Sequence, residues 1–409
     1  MIARLFRRLT LARTFHKFIG RTQAPLINTP LQRGVAWWRD PRNRFNGFSH
    51  LAETVETVPI THRIANTPLK RGVNERGGSW RLGWYEISRL AVGLLAVGGF
   101  LVCGCDKKSE SHPGANRGAG QLTIAVIPKG TTHAFWQSLR AGADAAGGEL
   151  GCKIIWTGPE REGDRERQIQ IVEDFTVQRV DGMVLAPLDS RALVPSVEKL
   201  ADRKIPCVIV DSGVETERYA AFAATDNYQG GVLAARRMGE LLGGQGKVLV
   251  LRYAIGSAST VAREKGFIDT IEKEFPGIKI VETKYGLDTV ETALQAAEDL
   301  LTRNRDVQGF FACNESTSLG ALRALQSQKR SEIKLVGFDS APALLTALRA
   351  GQIEALVVQN PYKMGYEGVK AVVAAIRAQP LTKRMDTGVA VVTRSNLDDP
   401  KVKELLRIP

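Results

Sequence analysis

The sequence predicts an α/β protein of two doubly wound lobes, each a mostly parallel sheet between helices. Three observations predict it. From Leu122 onward, short apolar runs alternate with longer stretches of helical period. Several of these runs are apolar throughout, as strands buried on both faces of a parallel sheet must be. Nine such runs exceed one comfortable sheet, and a polar break at Ala224-Thr225-Asp226-Asn227 divides them into two series.

The predicted strands are Leu122–Ile127, Lys153–Thr157, Gly182–Ala186, Pro206–Val210, Lys247–Leu251, Lys279–Thr283, Gly309–Cys313, Lys334–Phe338 and Ala355–Gln359. Between the first two, Leu139, Ala143, Ala146 and Leu150 recur at the spacing of one helical face. Leu294, Ala297 and Leu301 do the same within Val290–Leu301. Asp189-Ser190 reads as the cap of a helix beginning near Ala192, with Pro195 tolerated in its first turn. Cys207 and Cys313 sit in apolar runs and read as buried thiols, and no cysteine spacing suits a metal.

Ahead of this region the chain has a different character. Residues 1–89 hold 16 Lys and Arg against 5 Asp and Glu, a net of +11 out of +13 for the chain. Residues 90–409 therefore carry only +2, and a nucleic-acid reading built on total charge is excluded for them. Residues 1–80 show no sustained period and contain one near-repeat, Asn28-Thr29-Pro30-Leu31 and Asn66-Thr67-Pro68-Leu69. They read as an unstructured leader, or as upstream sequence ahead of a true start near Gly77–Leu82. Residues 81–105 read as a secretory signal: Arg81 and Arg89, then the apolar run Leu90–Val102, too short to span a bilayer comfortably. Its ending, Val102-Cys103-Gly104-Cys105, resembles a bacterial lipobox, with Cys103 as a departure. That resemblance implies a lipid anchor at Cys105 and a site of action outside the cytoplasmic membrane. Residues 106–120 follow as a polar, Gly-rich tether.

Ligands of doubly wound sheets bind beyond the carboxyl ends of the strands. After the first predicted strand come Lys129, His133, Phe135 and Trp136. Later strand ends supply Asp211, Asn314, Asp339 and Gln359, and the loop after Lys247–Leu251 leads to Arg263. Two aromatics, two carboxylates, two amides and two or three cations suit a polyhydroxylated small molecule. Carboxylates and amides hold hydroxyls in fixed directions, and Phe135 and Trp136 can cover the C–H face of a ring.

In these residues the chain resembles the periplasmic sugar-binding proteins of the ribose-binding type, the substrate receptors of ABC importers. The resemblance covers Leu122–Leu397. It rests on Phe135-Trp136, Thr225-Asp226-Asn227 with Gly230-Gly231, Arg263 with Gly266-Phe267, Asn314 in Phe-Ala-Cys-Asn-Glu, Val336-Gly337-Phe338-Asp339 and Gln359-Asn360-Pro361. It implies the type I periplasmic binding protein fold with a three-crossing hinge near Ala224–Asp226, Gln359–Pro361 and Gly388–Val391. The lobes are then 121–225 with 360–389, and 226–359 with 390–409. It further implies a monomer that closes on a sugar or polyol and is recognised by a membrane permease, with no cofactor and no catalysis. Phe135, Trp136, Asp211, Arg263, Asn314, Asp339 and Gln359 match positions that bind sugar in that family. Three positions depart from the ribose pattern. Lys129 replaces a small hydroxyl residue, His133 an asparagine, and Ser212 an arginine. Ribose itself is thereby in doubt, and a larger sugar, a polyol or an anionic sugar derivative stays open.

Plainer readings stand beside these. Asp339 is either a ligand contact or the cap of a helix near Ala341. Asp211 is either a contact or a turn residue. Lys129 is either a contact or a charge that is solvated or paired with a carboxylate, and His133 is either a contact or a surface residue at a helix start. Phe135 and Trp136 cannot share one helical side, so at least one should face the cleft. Asp226 and Asn227 read as hinge and cap residues, and Glu315 as a surface charge at a helix start. A repressor core on this fold needs a helix-turn-helix before Leu122, where a signal and tether stand instead. A sensor receptor, docking on a chemoreceptor or kinase or reading a signalling molecule such as an autoinducer, is the remaining alternative to transport. No nucleophile triad, acid–base carboxylate pair or phosphate-cradling loop supports an enzyme.

Overall fold

The structure is a computed structural model and describes residues 120–406. The leader, the signal, Cys105 and the tether before Gly120 lie outside the described residues. The chain first runs β1 (Thr123–Ile127), α1 (Ala134–Leu150), β2 (Lys153–Trp156), α2 (Arg165–Gln178), β3 (Gly182–Leu185), α3 (Val194–Asp202), β4 (Cys207–Val210) and β5 (Ala221–Ala224). It continues through α4 (Asn227–Leu241), β6 (Gln245–Arg252), α5 (Ala258–Glu274), β7 (Gly277–Tyr285), α6 (Val290–Arg303), β8 (Gly309–Ala312), α7 (Glu315–Ser327), β9 (Lys334–Phe338), α8 (Pro342–Arg349) and β10 (Ala355–Gln359). It ends with α9 (Pro361–Ile376), β11 (Arg384–Asp386), β12 (Val389–Val392) and α10 (Pro400–Leu405).

These strands form two sheets of matching order, β2-β1-β3-β4-β5-β11 and β7-β6-β8-β9-β10-β12. The pairing is parallel throughout except that β12 runs antiparallel to β10. Each central strand is apolar on both sides because helices cover both faces. Ile124, Val126, Val184 and Val208 face one layer, and Ala125, Ile127, Met183 and Leu185 face the other. Leu139, Ala143 and Ala146 are buried as the helical spacing requires, as are Ala297 and Leu301.

The chain passes between the sheets three times: at Thr225-Asp226, at Asn360, and at Thr387-Gly388. Each passage is short and two start helices. The Asp226 carboxylate accepts the Gln229 N–H at the head of α4, and the Asn360 side chain accepts the Lys363 N–H at the head of α9. Thr225 Oγ1 donates to the Gly388 carbonyl at 3.3 Å and ties two passages together. A capped helix start gives a hinge that bends in the link while the helices stay intact.

Three strands fall outside the nine expected. β5 is Ala-Phe-Ala-Ala, and alanine carries little strand preference. β11 and β12 are short edge strands whose partners lie far back in the sequence. The helix expected near Ala192 begins at Val194, and Asp189 instead caps the preceding turn by accepting the Arg191 and Ala192 N–H groups. Cys152, Cys207 and Cys313 are free and buried, and burial pushes the Cys207 thiol up to about 12.

Candidate functional site

The carboxyl ends of the two sheets face each other across a cleft. All nine residues singled out from the sequence line one cavity there: Lys129, His133, Phe135, Trp136, Asp211, Arg263, Asn314, Asp339 and Gln359. The first lobe contributes the first five, from the ends of β1 and β4 and the head of α1. The second lobe contributes the other four.

Asp211 and Asp339 occupy equivalent positions, one residue past β4 and one past β9. Both have left-handed backbone, with φ of 59° and 70°. Such a turn costs a non-glycine residue roughly 1–2 kcal/mol, so the surrounding strands must hold it. Neither side chain caps a helix. Asp211 meets the Lys129 ammonium at 2.9 Å, and the Arg263 guanidinium lies 3.9 Å away. Asp339 accepts from the Gln359 amide at 2.7 Å. Burial pushes the Asp339 carboxyl above its ordinary value, with Arg263 and the Gln359 amide pulling against it. The oxygen of that amide, Gln359 Oε1, is buried with no hydrogen-bond partner among the described residues.

Arg263 is held rigidly. It donates from Nε to Asn227 Oδ1 at 2.8 Å and from Nη1 to the Cys313 carbonyl at 3.1 Å, and its head lies 4.2 Å from the Phe338 ring centre. Asn227 therefore positions Arg263 as well as starting α4. Helix α5 comes close enough to present Arg263 because glycines face each other at the α4–α5 crossing. A Cβ on Gly231 would stand 2.0 Å from the Arg263 carbonyl oxygen, and one on Gly266 would stand 2.1 Å from that of Tyr228. Asn314 caps α7, accepting the Thr317 N–H at 3.2 Å, with its amide near Ser316 Oγ. Phe135 and Trp136 both reach the cavity, packed edge to face with ring centres 4.8 Å apart.

Five cavity residues were not among those expected to bind ligand, Glu162, Tyr253, Ser259, Thr260 and Glu315, and the two carboxylates among them carry much of its electrostatics. Glu162 is the centre of a buried network: His133 Nδ1 lies 2.7 Å from its Oε1, Trp136 Nε1 donates to the same oxygen at 2.6 Å, and Tyr253 Oη donates to Oε2 at 2.7 Å. Burial works against a charged imidazole, but Glu162 outweighs it and His133 is raised to about 9. Glu162 is lowered to about 2 against its own burial, through His133, Lys129 and the Tyr253 hydroxyl. Burial and Glu162 push the Tyr253 phenol well above its ordinary value. Glu162 obeys the strand-end rule, in Thr157-Gly158-Pro159-Glu160-Arg161-Glu162 after β2. In sequence nothing separates it from exposed Glu160.

Glu315 corrects an expectation. It is no surface charge but 5% exposed, and it accepts the Ala134 and Phe135 N–H groups, each at 3.0 Å. His133 provides no side-chain cap for α1, so a carboxylate from the opposite lobe completes that helix start. Ser259 joins in the same way: it and Ser257 take donors from Lys129 Nζ, at 3.0 and 3.2 Å, across the cleft. Glu162–Tyr253, Glu315–α1 and Lys129–Ser257/Ser259 thus bridge the lobes and hold them closed. The cavity between them is about 30 Å³, little more than a water molecule needs, so entry requires the lobes to part. Among the described residues no cluster suits a metal ion, and no helix is long and apolar enough to cross a membrane.

Comparison with known proteins agrees with this geometry. A family model described as a periplasmic binding protein domain matches residues 124–380. The ribose import binding protein of Bacillus subtilis is 27% identical over 304 residues, 74% of this chain and 97% of that protein. The D-allose-binding periplasmic protein of Escherichia coli is 28% identical over 260 residues, 61% and 83% of the two chains. Among solved structures, a carbohydrate transporter solute-binding protein from Agrobacterium radiobacter, in complex with D-arabinose, is 34% identical. It matches with a TM-score of 0.69 over 71% of this chain and all of that one. An ABC transporter solute-binding protein from Agrobacterium vitis with bound D-fucose is 38% identical, with a TM-score of 0.68 over 69% of this chain and 99% of that one. With two matching sheets, three crossings and a cleft lined from both sides, the chain belongs to the periplasmic binding protein family.

Proposed function

We propose that this chain captures a sugar or sugar-like ligand between its lobes, outside the cytoplasmic membrane, and delivers it to an ABC importer. One observation carries the reading: the cleft brings an aromatic pair and fixed donors and acceptors from both lobes to one cavity. The buried, unpartnered Gln359 Oε1 adds an acceptor aimed at a hydroxyl. Relatives whose names and titles carry ribose, D-allose, D-arabinose and D-fucose support the ligand class.

Three cations, Lys129, His133 and Arg263, stand against four carboxylates, Glu162, Asp211, Glu315 and Asp339. That near balance favours a neutral polyhydroxy compound over a sugar acid. The mechanism is closure. A ligand bridging Asp211 and Lys129 on one side and Arg263, Asn314, Asp339 and Gln359 on the other binds the closed state better, and a permease reads that state. Binding alone accounts for this residue set, and no catalytic step is assigned. The chain acts as a monomer anchored through lipid at Cys105, as the Val-Cys-Gly-Cys ending supports.

The Lys129 ammonium crosses the cleft to Ser257 and Ser259, so it exchanges partners when a sugar enters. With His133 and Ser212 also departing from the ribose pattern, the preferred ligand is expected to differ from ribose. Calorimetry against a panel of sugars and polyols tests both points, since a tight ligand stabilises by RT ln(1 + [L]/Kd). We expect a hexose, deoxyhexose or polyol to bind best and Lys129→Met to weaken it at least tenfold. Absence of any sugar or polyol hit overturns the function. Ribose binding tightest, or equal binding by Lys129→Met, overturns the role of Lys129 alone.

A further inference from the structure

Most helices of this chain close their first turn with a residue of their own. Asp164, Asp226, Thr289, Asn314, Asn360 and Asp399 each accept an N–H of the helix they begin. Among the described residues α1, α3, α5 and α8 have no such cap. Of these, α3 and α8 carry proline in the first turn, which removes one N–H that would need a partner. That leaves α1 and α5, the helices that follow the equivalent strands β1 and β6 of the two sheets.

Both begin at a polar residue, but the cleft has taken its side chain. His133, at the head of α1, is turned to Glu162 at 2.7 Å. Ser257, at the head of α5, accepts from Lys129 Nζ at 3.2 Å. The opposite lobe supplies what each helix lacks. Glu315 of the second lobe accepts the first two N–H groups of α1, each at 3.0 Å. Ser212 of the first lobe accepts the Ser259 N–H, in the first turn of α5, through its Oγ at 3.1 Å. The two caps are reciprocal, and both exist only while the lobes are together.

Ser212 is the more telling of the pair. It is fully buried yet does not line the cavity, so it joins the lobes without touching a ligand. Its residue type suits the task. A serine oxygen accepts an N–H, whereas the arginine of the ribose pattern has no acceptor and would set a positive charge against the positive end of the α5 dipole.

We propose that Ser212 and Glu315 are positioning residues that set the ligand-independent share of closure. Each completes a helix of the other lobe, so each favours the closed state by the same amount whichever sugar the cleft holds. The sugar adds the share that depends on its own hydroxyls. The ligand rests on the sugar-capture reading, but the caps themselves are testable on the empty chain.

Calorimetry and stopped-flow on the full chain, with D-ribose, D-allose, D-fucose and xylitol as probes, compare the native protein with Ser212→Ala and Ser212→Thr. Loss of the cap should weaken every probe that binds by one common factor, about threefold to tenfold, with faster dissociation. The threonine hydroxyl restores the native values. X-ray scattering of the empty alanine variant shows more of the open form. Adding Glu315→Gln multiplies the effect, since the two caps sit on different helices. Native affinity together with native scattering in Ser212→Ala overturns the proposal. So does a loss confined to some probes, which makes this corner a ligand contact. If no probe binds the native chain, the sugar reading falls, and the scattering comparison alone decides the caps.

Discussion

The two lobes share a topology strand for strand, yet their walls of the cleft are charged in different ways. Asp211 and Asp339 sit at equivalent turns with the same left-handed backbone. Asp211 has a lysine of its own lobe at 2.9 Å, and His133 has Glu162 of its own lobe at 2.7 Å. Asp339 has an amide at 2.7 Å, and burial raises its carboxyl. The first lobe therefore balances its buried charge internally. The second leaves a carboxylate and an unpartnered amide oxygen facing the cleft. The first wall acts as a preset platform, and the second is where a ligand's hydroxyls add most stability.

The sharpest test of that contrast is a matched pair of isosteric changes. Asp211→Asn strips the counterion from a buried ammonium and should cost the empty protein roughly 3–5 kcal/mol. Asp339→Asn removes a charge that burial already opposes and should change stability by less than about 1 kcal/mol. Denaturant unfolding of both variants decides, and equal losses would remove the distinction between the lobes.

Next in size is a pH effect confined to the first lobe's platform. The folded pKa of His133, about 9, lies above its ordinary 6.5, so its stabilisation is complete below pH 6.5 and is lost as pH rises through 9. Glu162, lowered to about 2 from 4.5, contributes above pH 4.5 and loses its contribution only as pH falls through 2. The pair therefore acts fully between about pH 4.5 and 6.5, with at most roughly 3 kcal/mol at stake for the histidine. Melting temperature should fall from pH 6.5 to 9.5 in the native chain and stay flatter in His133→Gln. Identical profiles would place the imidazole outside the network.

The second lobe's effect should appear in binding rather than folding. Asp339→Ala leaves the Gln359 amide and a ligand hydroxyl unpaired, about 1–3 kcal/mol, so affinity for the best sugar should drop about tenfold or more while the fold persists. Calorimetry showing native affinity would exclude Asp339 from the site.

Smallest is the bond between the lobes themselves. Glu315→Gln keeps one acceptor for the α1 start but loses the charge that faces its dipole, and affinity should fall only a few-fold with stability unchanged. X-ray scattering of the ligand-free variant should show a more open population. An unchanged profile would mean that Glu315 does not hold the lobes together.

Reading along the chain reached most of the fold because its rule is local. A central parallel strand must be apolar on both sides, and that shows in Val-Leu-Val-Leu or Gly-Met-Val-Leu without knowledge of any partner. The same locality fails at the edges. Ala221–Ala224 and Val389–Val392 become strands because β4, β11 and β10 offer free hydrogen-bonding edges, which the segments' own residues do not announce.

The site divides along the same line. Residues directly after a strand, such as Lys129, Asp211, Asn314 and Asp339, were findable because the carboxyl ends of parallel strands all point to one face. The sequence by itself determined the two-sheet architecture, the nine residues that converge and the boundary between a strongly basic stretch of 89 residues and a nearly neutral remainder. Which carboxylate at a loop's end is swallowed depends on the opposing lobe. Glu160 and Glu162 differ by two residues, and only Glu162 meets Tyr253 and His133. Glu315 looks like any charge at a helix start until α1 arrives with two unsatisfied N–H groups. Burial, ion pairing and the resulting protonation states are properties of groups brought together from distant positions. They come into being only when the lobes close.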